Sequence, residues 1–597
     1  MRELNSPKKN DYNQLISIFI MSVLMFAYIS YSSKVQKEKL AKEQLEIKNK
    51  PTSKDSNSET GLVKPTQVAQ VSNAPQGKIQ TEVLSNQELR IEISSQGAQV
   101  SKVEMLKHQA YNNETKKREP LFLIKENNSQ FGLQIPTATG VVQTQLLNFT
   151  PSKQGNSIVF SAPVGNGVLQ YIYTLLEDNT LDFKIKSSGL KLPNSVNIDW
   201  KMDAFALEKG RRQETQFTEM YFSFDKNEDV DDETSDFEEN EKSLDWIAFK
   251  QQFFASILSS KKGFEKTSGS VKNIEEGKHI KNFDFKGSIA TSAGELNEDL
   301  AWNFTPLDLD ILKGLGNKFD EIIPFGWSFI GGMNKYFFIK IFKFLHDNFS
   351  MSYGIIIMWM TIVIKIILSP IMYKQHKQGA MMRVLKPEID EINLKYKDDA
   401  LKKQQATMDL YSKAGASPFS GCLPALLQIP IFYALFQFFP NIIDLRGKSF
   451  LHADDLTSYD SIAQLPFDVP MYGSHVSLFA ILYCVFLLIY TKMTSNNISQ
   501  PTQEGMPDMK FMMYLMPVFF VLFLNSYASG LSWYYLVSNI LNIGIVLVIK
   551  HFLIDEEKIH QLVQTNKAKP KKESKFGSKF NEILKQAQEQ QELKNKK

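Results

Sequence analysis

The sequence predicts a polytopic α-helical membrane protein with six transmembrane helices. It also predicts an all-β sandwich domain on the outer side and a helical hairpin on the cytoplasmic side. Three observations carry this. Almost wholly apolar runs recur at 15–31, 353–373, 421–439, 476–490, 511–527 and 531–550, and a ~30 Å hydrocarbon layer is crossed by about 20 such residues. The long stretch 79–305 has no such run and reads as short alternating segments instead. Lys and Arg crowd into some of the connecting segments and avoid others.

The 597 residues average to an ordinary composition, 22% charged and 43% hydrophobic, with a mean hydropathy of −0.23. The average hides segregation, which excludes both a soluble protein and a compact carrier made of little but membrane helices. Net charge is +3, from 68 basic and 65 acidic residues, and names no partner. The two cysteines, Cys422 and Cys484, both lie in apolar runs, so no disulfide framework or cysteine metal site is available.

Taken in order, 1–33 is an N-terminal transmembrane anchor. Arg2, Lys8 and Lys9 precede a core longer than a signal-peptide h-region, and no A-x-A site follows. Residues 34–78 form a disordered linker, because 51–76 is rich in Ser, Pro, Gln, Asn and Lys and lacks aromatics. The sandwich occupies 79–305, with alternation in Leu89-Arg90-Ile91-Glu92-Ile93, in 169–173 and in Leu181-Asp182-Phe183-Lys184-Ile185. Its acidic stretch 225–241 has irregular spacing and reads as a solvated loop rather than a calcium site.

Residues 306–350 are a linker and an amphipathic helix. Phe337, Phe338, Ile341, Phe342 and Leu345 share one face, and Lys340 and Lys343 share another, as in a helix lying in the membrane interface. A five-helix core follows at 351–552. Within it, 374–417 is an antiparallel hairpin, with Met382, Leu385, Ile389, Ile392 and Tyr396 answered by Leu401, Met408 and Tyr411 across a turn at 397–399. A basic tail, 553–597, closes the chain.

Orientation follows from the short loops. The hairpin segment carries nine Lys/Arg and the tail is lysine-rich, whereas 441–473 has only Arg446 and Lys448. Basic loops face the cytoplasm, so both termini are cytoplasmic and the large domain is outside. The lysines between 34 and 50 oppose this assignment and are outvoted by the C-terminal loops.

Within the apolar runs, Lys365 is the exceptional residue, since a charge at the bilayer centre costs roughly 2.5–3.5 kcal/mol on insertion scales. Thr361 lies one turn to one side and Ser369 one turn to the other. Tyr535, Ser538, Asn539 and Asn542 share a face of the last run, and Gln428 sits between Pro424 and Pro430. These polar faces imply a hydrated cavity; hydrogen bonding between helices is the plainer alternative for Ser538. The last five runs contain no Asp or Glu to neutralise Lys365. Walker A, H-E-x-x-H and nucleophile-elbow motifs are absent, so no catalytic residues, metal or cofactor are expected.

The C-terminal half resembles the YidC-type membrane protein insertases. The resemblance rests on Thr361-Ile-Val-Ile-Lys365 with Pro370, on Met381-Met-Arg-Val-Leu-Lys-Pro387, and on Ser417 through Gln428-Ile429-Pro430 to Leu435. Tyr514-Leu-Met-Pro517 and Ala528-Ser-Gly-Leu-Ser-Trp-Tyr534-Tyr535-Leu-Val-Ser538-Asn539 complete it. In the outer domain, Glu92 to Gly97 and Trp246-Ile-Ala-Phe-Lys-Gln-Gln-Phe253 match more weakly. An outer sandwich between the first two spans is what Gram-negative members carry, which implies an inner membrane and a periplasmic domain.

The resemblance implies an insertase and chaperone that works alone or with the Sec translocon. Its substrate groove would be lined by Lys365, Thr361, Gln428, Tyr535, Ser538 and Asn539. Guest contacts would fall on Ile429, Pro430, Phe432, Pro517 and Tyr534. Arg383, Pro387, Tyr396 and Tyr411 would belong to a cytoplasmic hairpin that meets nascent membrane proteins. Implied partners are those chains, the ribosome (through hairpin and basic tail), the Sec translocon and the lipid bilayer, but not DNA. The family's usual cation is arginine, and lysine here keeps the charge without the bidentate fork.

Two other readings make different demands. A small-solute transporter or channel predicts inverted repeats and coupling carboxylates, and neither is seen. A periplasmic binding module on a membrane scaffold would lose its function if 80–300 were deleted, whereas an insertase would survive largely intact.

Overall fold

The computed structural model describes residues 78–227, 229–233, 236–326, 328–397, 400–416, 423–469, 472–495 and 509–568. The first apolar run, most of the linker, Ser417 to Cys422 and the tail beyond Ala568 lie outside these described residues.

Alternation in the sequence becomes strand. Leu89, Ile91 and Ile93 are fully buried while Arg90 faces out, and Leu181, Phe183 and Ile185 repeat the pattern. A four-stranded antiparallel sheet joins Thr81–Ser85, Leu89–Ser94, Val100–Asn112 and Lys117–Ile124 in chain order. It packs against a 14-stranded sheet whose path folds over itself. The fold-over is made by one long strand, Phe254–Asn273. Its first part pairs with Leu244–Lys250 and Asn297–Pro306, its second with His279–Ala290. The switch falls at Gly263, whose φ is +86° and where a Cβ would sit 2.0 Å from Ser243 Oγ. Trp200 stacks on Phe249 at 3.7 Å and meets Trp302 edge-on at 4.8 Å in the core between the layers.

The acidic stretch is not the loop its composition implied. Asp229–Glu233 pairs with Glu219–Phe224, and Phe237–Glu239 pairs with 267–269. Val230 and Phe237 supply apolar contacts that hold these short strands down while neighbouring acids point to water.

Helices surround and follow the sandwich. We number them α1 (Arg211–Gln216), α2 (Leu309–Leu315), α3 (Ser328–Met333), α4 (Ile339–Asn348) and α5 (Tyr353–Val384). Next come α6 (Lys386–Lys395), α7 (Ala400–Ala414), α8 (Leu423–Asn441) and α9 (Leu478–Ser495). The last are α10 (Met509–Leu524), α11 (Ser529–Val548) and α12 (Glu556–Ala568). Among the described residues, two helical segments have spanning length and apolarity: Tyr353–Val384 and Ser529–Leu553, the latter including a π turn after α11. Six were expected. The other apolar helices, α8, α9 and α10, have 19, 18 and 16 residues among the described residues.

Two predicted segments differ in detail. The Phe338, Ile339, Phe342 and Leu345 face of α4 is covered by protein: Phe342 meets Phe438 of α8 at 6.0 Å and Tyr353 at 6.1 Å. Lys343 pairs with Asp310 of α2, and the apolar groups left exposed are Tyr336, Phe344 and Phe349. The first arm of the hairpin is no separate helix at its start. It is α5 running on to Val384, where Leu385 ends it and Pro387 opens α6.

The sandwich and the helices share a buried seam. Three consecutive residues in the Trp246–Phe253 block each cap a different element. Lys250 Nζ donates to Phe217 O at 2.6 Å, Gln251 Nε2 to Phe205 O at 2.7 Å and Gln252 Nε2 to Pro440 O at the end of α8 at 2.7 Å. The loop after α8 completes it. Arg446 Nε binds Glu208 at 2.7 Å, and Arg118 binds Asp455 at 2.7 Å. The Asp455 carboxylate also accepts from the backbone of Gly447 and from both the backbone and hydroxyl of Thr457.

Candidate functional site

Lys365 stands on α5, which packs against both α8 and α11, and α8 and α11 touch each other. The three helices that carry the whole predicted groove are therefore mutual neighbours. Lys365 is 5% exposed, and no ion pair or hydrogen bond to its ammonium group occurs among the described residues. An ammonium so placed is expensive unless water or a polar ligand reaches it.

The other polar residues divide into two groups. Thr361 is buried and bonds back to Ile357 O at 2.7 Å, and Asn539 bonds back to Tyr535 O at 3.0 Å. Ser369 donates to Ile366 O at 2.8 Å, the carbonyl that Pro370 leaves without its helical N–H. Tyr527 does the same across helices for Phe436 O, freed by Pro440, at 3.2 Å. These groups satisfy backbone. By contrast, Ser532 Oγ, Tyr534 OH and Asn542 Oδ1 on α11 are buried with no partner among the described residues. Orphans of that kind call for water or a ligand. Ser538 is buried and Gln428 half-buried.

Among the expected guest contacts, Ile429 is 60% exposed and Pro430 half-buried. Phe432 is drawn into an aromatic cluster with Phe520 at 5.5 Å and Tyr535 at 5.3 Å, and the Tyr535 hydroxyl reaches Phe432 O at 3.4 Å. Pro517 and Tyr534 are buried, the latter against Phe439 and Tyr535. A guest reaches them only if the helices part.

In the hairpin, Arg383 lies 3.9 Å from Glu556 and Tyr411 is buried, while Tyr396 ends α6 under the ammonium of Lys395. Sequence reasoning missed the partner of this hairpin. Ile559 and Val563 of α12 share a core with Met381, Met382, Leu385, Ile389 and Tyr411. The i, i+4 spacing of Ile559 and Val563 was the signal available.

The outer faces of the bundle expose Ile366, Ile367, Val485, Ile489, Val518, Phe519 and Phe523. Apolar exposure on that scale belongs in lipid. Together with the two apolar helices of spanning length among the described residues, it defines an integral membrane protein with a large extramembrane β domain.

The comparisons with known proteins give the family. Residues 344–557 match the model described as 60Kd inner membrane protein, and residues 82–339 match the YidC periplasmic domain. A membrane protein insertase YidC from Parabacteroides distasonis is 38% identical over 544 residues, covering 86% of this chain and 85% of that protein. One from Bacteroides fragilis is 36% identical, with 87% and 86% covered. A solved structure of an active YidC insertase with its first transmembrane domain resolved aligns with 82% of this chain and 95% of that one, at 17% identity and a TM-score of 0.32. The relationship rests on the sequence matches rather than on that superposition. The chain belongs to the YidC family of membrane protein insertases, inner-membrane proteins with a periplasmic domain.

Proposed function

We propose that this insertase moves a guest segment through a groove among α5, α8 and α11, and that Lys365 supplies the positive charge that draws in the guest's polar outer flank. The observation that carries this reading is a buried lysine with no carboxylate partner among the described residues, set among helices whose other polar groups are partly unpaired there. Water entering from the cytoplasm solvates the ammonium and the orphaned groups, which lowers the barrier for a polar flank. The guest's apolar helix then leaves past Ile429 and Pro430 into lipid, and burial of its apolar surface drives the step. No cofactor takes part.

Six spans with both termini cytoplasmic place the α6–α7 hairpin and the basic tail where a ribosome delivers its product, with or without the Sec translocon. Lys365 is nearly enclosed in the conformation described, so the guest parts α5 from α8 as it enters.

The test is complementation of an insertase-depleted strain. Lys365→Glu should abolish insertion of guests with acidic outer flanks, while Lys365→Arg should be tolerated. Normal function of Lys365→Glu would remove the role assigned to the charge.

A further inference from the structure

The segment after the last apolar helix is built as part of the cytoplasmic unit rather than as a loose extension. A π turn, Ile549–Leu553, ends the last apolar helix; Asp555 then caps a new helix by accepting from the backbone of Glu557 at 3.0 Å. This α12 folds against α5 and α7. Val563 is fully buried and Ile559 nearly so, in one cluster with Met381, Leu385, Ile389, Tyr411 and Ala414. Polar contacts fix the register. Asn566 Nδ2 donates to Ala414 O at 3.0 Å, and Lys567 pairs with Glu388 of α6. The turn that ends α7 at this contact takes a backbone conformation that favours glycine. Gly415 has a φ of +69°, and a Cβ there would lie 2.8 Å from Asn566 Nδ2.

A helical hairpin held only by its chain connections to α5 and α8 would be free to tilt about Leu385. A third helix, tethered to the last apolar helix and gripping both arms, removes that freedom. From this we infer that α12 is a positioning element: it holds the α6–α7 hairpin at a fixed angle to α5, the helix that carries Lys365, and insertion depends on that angle. The inference rests on the groove reading above, because the hairpin matters only if it hands guests to that groove. The residues that do the positioning are Ile559, Val563, Asn566 and Lys567.

The test uses the full chain with Cys422→Ser and Cys484→Ser, spin-labelled at Leu394→Cys on α6 and Gln564→Cys on α12, two exposed sites. The distance distribution should be narrow. Val563→Asp puts a carboxylate in a fully buried position and should broaden the distribution and lower insertion by about tenfold. Lys567→Glu should lower insertion by about twofold, and adding Glu388→Lys should restore it.

That rescue separates a docked pair from a tail whose charge acts elsewhere, since a plain loss of tail charge would not be rescued. A broadened distribution with undiminished insertion would overturn the proposal, and so would an unchanged distribution. Lys365→Glu in the same labelled chain should abolish insertion and leave the distances alone, so failure of the groove and failure of the brace are read separately.

Discussion

Buried charges are handled in opposite ways in the two halves of this molecule. In the sandwich and its seam, each of the most enclosed ones is tied down. Lys250 donates to Phe217 O and lies 3.6 Å from Glu219; Lys281 donates to Thr218 O; Glu208 and Arg446 hold each other. Glu214 accepts from the backbone N–H groups of Leu207 and Glu208. In the helical half, Lys365 is as enclosed, yet no carboxylate or carbonyl receives it among the described residues. A charge that only stabilises a fold needs its partner in the same chain. A charge left open in the fold is available to something that arrives, which is the role proposed for Lys365.

The largest expected effect breaks the contrast at its functional end. Lys365→Glu should abolish insertion while leaving the unfolding temperature of the purified protein within a few degrees of the parent. Lys250→Met should do the reverse, lowering stability with insertion by the surviving folded protein intact. If Lys365→Glu unfolded the protein, Lys365 would be another structural charge.

Next in size is Arg446→Ala. It strands Glu208 in a buried seam, and removing one member of a buried pair costs about 3–5 kcal/mol. Proteolysis should then release the sandwich from the helical half at lower denaturant. A smaller change at the same seam, Gln252→Ala, removes one bond to Pro440 O and should cost about 1 kcal/mol by the same assay.

The seam also makes the structural charges sensitive to pH, with signs that can be separated. Burial pushes the Glu208 carboxyl up from 4.5 to about 7, against the pull of Arg446. Its contribution to stability is therefore full below about 4.5 and is lost as pH rises through about 7. Burial, aided by Arg446, pushes His108 down from 6.5 to about 4. Its contribution is full above 6.5 and is lost as pH falls towards about 4. Melting curves across that range should therefore diverge. His108→Phe should gain stability relative to the parent on acidification, and Glu208→Gln should lose it. Parallel curves for both variants would show that neither group titrates with folding.

Much of this was legible in the sequence, and the exceptions have physical reasons. Strict alternation such as Leu89-Arg90-Ile91 admits only a half-buried strand, and it forms one. The isolated Lys365 was equally plain, because a charge in an apolar run has few explanations. The acidic strands at 229–239 were hidden because Val230 and Phe237 are too few to show a period. The seam was hidden because Gln252 and Pro440 are far apart in sequence and neither is unusual alone. Spacing showed which polar residues of α5 share a face but not where their hydroxyls donate, which is to Ile357 O and Ile366 O.

That last point gives the smallest and sharpest prediction. Ser369 and Lys365 sit one turn apart on the same helix, and their spacing alone puts both on one polar stripe. In the structure Ser369 is engaged with Ile366 O, the carbonyl that Pro370 deprives of a donor. Ser369→Ala should thus cost about 0.5–1.5 kcal/mol of stability and leave insertion unchanged. Ser369→Ala combined with Pro370→Ala, which returns the N–H, should recover the loss. A substantial insertion defect in Ser369→Ala would move that hydroxyl from backbone repair into the groove, and the division between structural and functional polar groups in α5 would have to be redrawn.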